Sequence, residues 1–114
     1  MVVAERRSVV DGELREMARY FHALKDMLRL RILVTLAESG EMTVTELSRT
    51  LHVSQPLVSF HLRPLRVSGI IRVRRAGRQA YCSLDLPEIK RRQSEFVEML
   101  SEVVDSKHCN SQEV

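Results

Sequence analysis

Seven arginines, Arg49, Arg63, Arg66, Arg72, Arg74, Arg75 and Arg78, fall in a stretch between Leu47 and Leu84 that contains no aspartate or glutamate. The whole chain has 18 Lys+Arg and 15 Asp+Glu. Setting the seven aside leaves 11 basic residues against 15 acidic ones, so one segment is strongly cationic and the remainder is net acidic. A merely solvated face usually mixes signs, because interspersed charges avoid self-repulsion. Segregation of this degree points to a polyanionic partner, and nucleic acid is the first reading.

Other chemistries find little material. The two cysteines, Cys82 and Cys109, are 27 residues apart with no CxxC spacing, so neither a disulfide framework nor a zinc knuckle is indicated and free thiols are expected. No nucleophile, base and orienting group form a set and no glycine-rich phosphate loop is present, so an enzyme is not expected and no cofactor is assigned. The apolar runs are short and the early Glu5, Arg6 and Arg7 break any signal core, which argues against a membrane and for a cytoplasmic protein. Aromatic residues make up 4% with no Trp, too few for a platform that stacks single-stranded bases. Double-stranded DNA is the better polyanion.

The 114 residues suit one small, mainly helical domain. From Glu13 to Lys25, Leu14, Met17, Ala18, Phe21 and Leu24 recur at helical spacing. Asp26 is placed to cap a second helix over about 27–38, stopped by Gly40. Thr43-Val44-Thr45-Glu46 has the form of a capping box ahead of Leu47 and Leu51, which starts a short third helix. Ser54 caps a fourth, with Pro56 tolerated in its first turn and Val58, Leu62 and Leu65 as the inward face. A short helix, a tight turn at His52-Val53 and a polar-faced helix over 54–67 make a helix-turn-helix. The period then changes: Ile71 and Val73 alternate with Arg72 and Arg74, Ala76-Gly77 turns the chain, and Ala80, Cys82 and Leu84 alternate with polar neighbours. This predicts a two-stranded wing over 70–84. A last helix starts near Pro87 with Ile89, Phe96, Val97, Leu100, Val103 and Val104 along one seam. Residues 1–12 and 105–114 are expected to be flexible ends around a domain over 13–104.

The segments ARYFHALKDMLRLRIL (18–33), TEL (45–47), VSQPLVSFHLRPL (53–65), SGII (68–71) and RAGR (75–78) resemble, in this order, those of the ArsR/SmtB family of winged-helix repressors. The resemblance spans about 13–104. It implies a mainly α winged helix-turn-helix of four helices, two strands and a fifth helix, dimeric through the first and last helices. Its implied partners are an operator palindrome in double-stranded DNA and a second copy of the chain. The residues agree: one small domain has too little core to bury the apolar faces of both terminal helices, so Leu14, Met17, Phe21, Phe96, Leu100 and Val103 are candidates for a homodimer interface.

For DNA contact the candidates are Ser54, Gln55, Ser59, His61, Arg63, Arg66, Arg74, Arg75 and Arg78. Gln55 and Ser59 suit base edges and the arginines suit phosphates or a narrow minor groove. For His61 an internal role stands beside DNA contact. Phe60, where the family often has a polar residue, is read as a core residue that otherwise approaches a thymine methyl. Pro64 should kink or loosen the fourth helix, since it removes one backbone hydrogen bond. The family's sensing ligands are mostly missing. Its helix-three cysteine pair would fall around Val44 to Leu47, and its zinc-type positions read Leu86, Glu88, Met99 and Glu102, so no metal site is assigned. His108 and Cys109 remain a ligand pair for a metal- or redox-responsive repressor. The other alternative is a winged helix that docks an acidic protein through the same arginines.

Overall fold

The computed structural model describes residues 2–112, with side chains described for 11–107. Five helices and a small sheet follow one another as α1 (Val2–Leu24), α2 (Met27–Ser39), β1 (Met42–Thr43), α3 (Val44–Leu51), α4 (Gln55–Val67), β2 (Ile71–Ala76), β3 (Gln79–Leu84) and α5 (Leu86–Gln112).

The starts of the inner helices are written in their caps. The Asp26 carboxylate accepts from the amides of Leu28 (2.8 Å) and Arg29 (3.1 Å) at the head of α2. Thr43 Oγ1 accepts from the Glu46 amide at 3.1 Å, and Ser54 Oγ from the Leu57 amide at 3.3 Å. Gly40 ends α2 at a φ of +78°, where an L side chain would be strained. Thr43 is buried, so its hydroxyl has no competing water. Thr43→Ala is therefore expected to cost about 1 kcal/mol of folding stability, seen as a lower urea midpoint at unchanged slope. An unshifted midpoint would show that the cap contributes nothing.

The outer helices reach further than the sequence reading has them. The stretch 1–12, expected as a loose end, is helical from Val2, and the expected tail, 105–114, continues α5 to Gln112. The reason is local: Gly12, costing about 1 kcal/mol, is the one glycine and no proline occurs before Leu24, and no glycine or proline follows Pro87. The side chains of His108 and Cys109 lie outside the described residues.

The sheet has one strand more than the predicted wing. β1 pairs antiparallel with β3 (Met42 opposite Cys82), and β3 pairs with β2 (Ile71 opposite Leu84), giving the order β1-β3-β2. The wing is thereby sewn to the entrance of α3. Gly77, at a φ of +62°, makes the tight turn at its tip.

Ile32, Leu36, Leu47, Leu51, Val58, Leu62, Leu65, Ile70, Ile71 and Cys82 form the core with Tyr20 and Ala23 of α1. Cys82 is wholly buried, and burial pushes its thiol pKa up. It should resist alkylation in the native protein and react on unfolding; equal rates by peptide mass analysis in both states would contradict this. Around that core the chain is long, 62 × 28 × 22 Å, with a radius of gyration of 18.7 Å against about 13 Å for a compact chain of this length. Along its outer helices Leu14, Val97, Leu100, Val103 and Val104 are left exposed.

Candidate nucleic-acid interface

The turn between α3 and α4 is closed by short-range bonds. The Ser48 hydroxyl donates to the Val53 carbonyl, the Val53 amide returns a bond to the Ser48 carbonyl at 3.2 Å, and His52 takes the left-handed conformation at the end of α3. α4 then buries Val58, Leu62 and Leu65 and turns Gln55, Ser59, Phe60, Arg63 and Arg66 outward. Gln55 Nε2 lies 3.3 Å from Thr45 Oγ1, so α3 steadies the side chain at the head of α4. The Ser54 hydroxyl is occupied as the cap.

The loosening expected at Pro64 does not end α4, which continues to Val67 and closes with the Ser68 amide on the Pro64 carbonyl at 3.1 Å. Pro64 lies in the last turns, where Val58, Leu62 and Leu65 hold the helix by packing and one missing bond is tolerated. Phe60, read as a core residue, is 66% exposed. Its position on α4 is opposite the buried face, and position outweighs hydrophobicity.

His61 takes its internal role. Its side chain is 12% exposed, Nδ1 accepts from Arg29 Nε at 3.1 Å, and the Asp26 carboxylate is 3.8 Å away. Arg29 also donates to the carbonyls of His22 (3.4 Å) and Ala23 (3.5 Å). One guanidinium thus ties the end of α1, the head of α2 and the middle of α4. The placement of His61 among the DNA-facing residues is corrected accordingly.

The cationic stretch is also divided. Arg74 forks onto Glu41 at 2.9 and 2.6 Å, with its guanidinium carbon 4.4 Å from the centre of the Tyr81 ring. That fork holds the Glu41 carboxyl below its ordinary range. Arg72 donates to Asp85 at 2.7 Å, and Asp85 also accepts from the Glu88 amide at the head of α5. Acids lying just outside the acid-free stretch therefore neutralise the two arginines at the base of the wing, and Arg74 serves to anchor it. Among the described residues Arg49, Arg63, Arg66, Arg75 and Arg78 form no ion pair and are exposed. Arg75 and Arg78 flank the wing turn.

Among the described residues no three His, Cys, Asp or Glu side chains are grouped so as to hold a metal ion. Glu88, at a zinc-type position, is gripped by Arg91 (2.6 and 3.0 Å) and Arg92 (3.1 Å), which push its pKa down to about 2. Its lone pairs are already engaged. No described helix is long and apolar enough to cross a membrane.

Of the terminal-helix candidates, Phe21 and Phe96 meet each other edge to face at 4.9 Å within one chain. Leu14, Leu100 and Val103 stay exposed and Met17 half-buried. Tyr20 escaped the sequence reading: its ring is buried and its hydroxyl accepts from Gln93 Nε2 at 3.1 Å, joining α1 to α5. Its one signal was a helix stripe wider than the five residues chosen.

A capped helix-turn-helix followed by a wing sewn to its entrance, with an unpaired cationic tip, defines a winged helix-turn-helix DNA-binding domain. The model of the bacterial regulatory protein arsR family matches residues 26–73. The arsenic resistance transcriptional regulator ArsR1 of Pseudomonas putida is 38% identical over 88% of this chain and 77% of its own length. The transcriptional repressor SmtB homolog of Synechocystis is 41% identical over 61% of this chain, spanning about half of that protein, 52%. The solution structure of the homodimeric winged helix-turn-helix DNA-binding domain Mb0332 from Mycobacterium bovis, a possible ArsR-family regulator, superposes with a TM-score of 0.66 at 25% identity, covering 81% of this chain and 83% of that one. The chain belongs to the ArsR/SmtB family of bacterial transcriptional regulators, which are not enzymes.

Proposed function

We propose that this protein is a homodimeric repressor that occupies an operator palindrome, with α4 of each protomer in a major groove and each wing against the flanking backbone or minor groove. The observation that carries this reading is a set of five exposed arginines that form no ion pair among the described residues: Arg49 on α3, Arg63 and Arg66 on the outward side of α4, and Arg75 and Arg78 at the wing turn. Gln55 and Ser59 read base edges, Arg63 and Arg66 hold phosphates or neighbouring bases, and Arg75 and Arg78 grip from the wing. Residues 13–104 carry DNA binding and dimerisation, and such a regulator works in the cytoplasm with the chromosome. Dimerisation is supported by the homodimeric state of the Mycobacterium bovis domain, and the use of α1 and α5 by the apolar side chains that they leave exposed.

The arsenic named for the Pseudomonas relative does not transfer with the fold, because Val44, Thr45, Glu46 and Leu47 offer no thiol. Genomic fragments selected by the purified protein test the reading. Enrichment of an inverted repeat with half-sites about one turn, roughly 10 base pairs, apart is expected. Repeating the binding with zinc, nickel, arsenite and a thiol oxidant would identify the class of signal. Absence of any enriched sequence would overturn the repressor reading and favour a docking module for acidic proteins.

A further inference from the structure

Phe60 occupies the middle of the face that α4 turns to solvent. At about 100° per residue it lies opposite Val58, Leu62 and Leu65, which are buried, and it is 66% exposed. Its ring has one aromatic neighbour among the described residues, the imidazole of His61, edge-on at 5.2 Å and 89°. That imidazole is itself pinned by Arg29. A large apolar ring is thus presented on a rigid helix, beside the outward Ser59 and Arg63. Two other destinations do not take it up. The cleft in which Tyr20, Ala23, Pro64 and Val67 lie beside Glu16, Arg19 and Arg92 is lined without it. A second copy of the chain would bring the same unpaired Arg63 and Arg66 against this face and be repelled.

The partner with the right charge is DNA, and the apolar group in the major groove of DNA is the C5-methyl of thymine. Resting on the operator-binding reading above, we propose that Phe60 is a base-reading residue that packs on a thymine methyl in each half-site. It discriminates thymine from cytosine without a hydrogen bond, while Gln55 and Ser59 supply the polar part of the readout.

The test uses the operator recovered by genomic selection and replaces each thymine in turn by deoxyuridine, which lacks the methyl alone. Wild-type dimer should bind about fourfold more weakly, per half-site, when one particular thymine is replaced, the value of burying one methyl-sized group. Phe60→Ala should bind the unmodified operator more weakly by the same factor and be indifferent to that replacement. Its salt dependence should match the wild type, since no phosphate contact is lost. Phe60 is exposed and alanine is the better helix former, so the variant should fold and dimerise normally. A wild type indifferent to every replacement, or a Phe60→Ala protein with the same deoxyuridine penalty, would overturn the assignment. So would loss of the dimer, which would place Phe60 in self-association. Specific binding that ignores the methyl overturns this inference alone, whereas failure to recover any operator overturns the DNA reading with it.

Discussion

Replacing Leu100 and Val103 together by glutamate is expected to leave a folded monomer that no longer holds its operator. Both side chains lie on α5, 47% and 62% exposed in a single chain, so the fold of that chain does not depend on them. In the proposed dimer they lie in a dry seam with their counterparts and with Leu14 and Met17 of α1. Two carboxylates per protomer there would be unpaired and mutually repulsive, weakening self-association by on the order of a thousandfold or more. Each α4 would then have to find its half-site alone, without the gain in effective concentration that a rigid pairing gives. Sedimentation of the variant should give one chain and its circular dichroism should match the wild type. A variant that remains dimeric would remove α5 from the interface, and a monomer that binds the operator at full strength would remove the need for pairing.

The second large effect separates grip from reading. Arg75→Ala combined with Arg78→Ala removes four unpaired charges from a dimer. It should weaken binding to all DNA sequences about evenly and lower the slope of log affinity against log salt by roughly 3 to 4. Gln55→Ala should change the slope little and cost about 1–3 kcal/mol of discrimination, since Gln pairs bidentately with adenine. Arg74→Ala belongs to neither class. Its guanidinium is committed to Glu41 and Tyr81, so its loss removes one side-chain tie between the wing and the segment before α3, which the pairing of β1 with β3 still holds. Equal losses on specific and non-specific DNA from both the wing and the Gln55 variants would show that this division of labour is wrong.

What the sequence made legible is what local chemistry decides. Asp26, Thr43 and Ser54 declare the starts of α2, α3 and α4 within three residues of the amides they cap. The alternation around Arg72 and Arg74, with Gly77 between the strands, declares the wing. The rest was hidden by distance along the chain. Arg74 meets an acid 33 residues away, Arg72 one 13 residues away, and His61 an arginine 32 residues away. No spacing rule connects such pairs before the chain has folded. β1 is two residues long, too short for any alternation to register. Phe60 lies outside because Val58, Leu62 and Leu65 fix which side of α4 faces inward, and place on the helix outweighs residue type.

Two polar contacts tie α1 to other helices. Arg29 links the end of α1, in the proposed dimer interface, to His61 in the middle of α4. Tyr20 links α1 to Gln93 of α5. In the proposed dimer, a change in how the two protomers sit on each other would have short polar connections to α4, the proposed base-reading helix.

The central claim is that a pair of these chains recognises one DNA sequence. Its most direct measurement is the affinity of the purified protein for the selected operator and for a scrambled duplex of the same length, at about 0.15 M salt, with the mass of each complex determined alongside. Two chains on the operator, bound at least roughly a thousandfold more tightly than on the scrambled duplex, is the predicted result. Equal affinity for the two duplexes at that salt would contradict it.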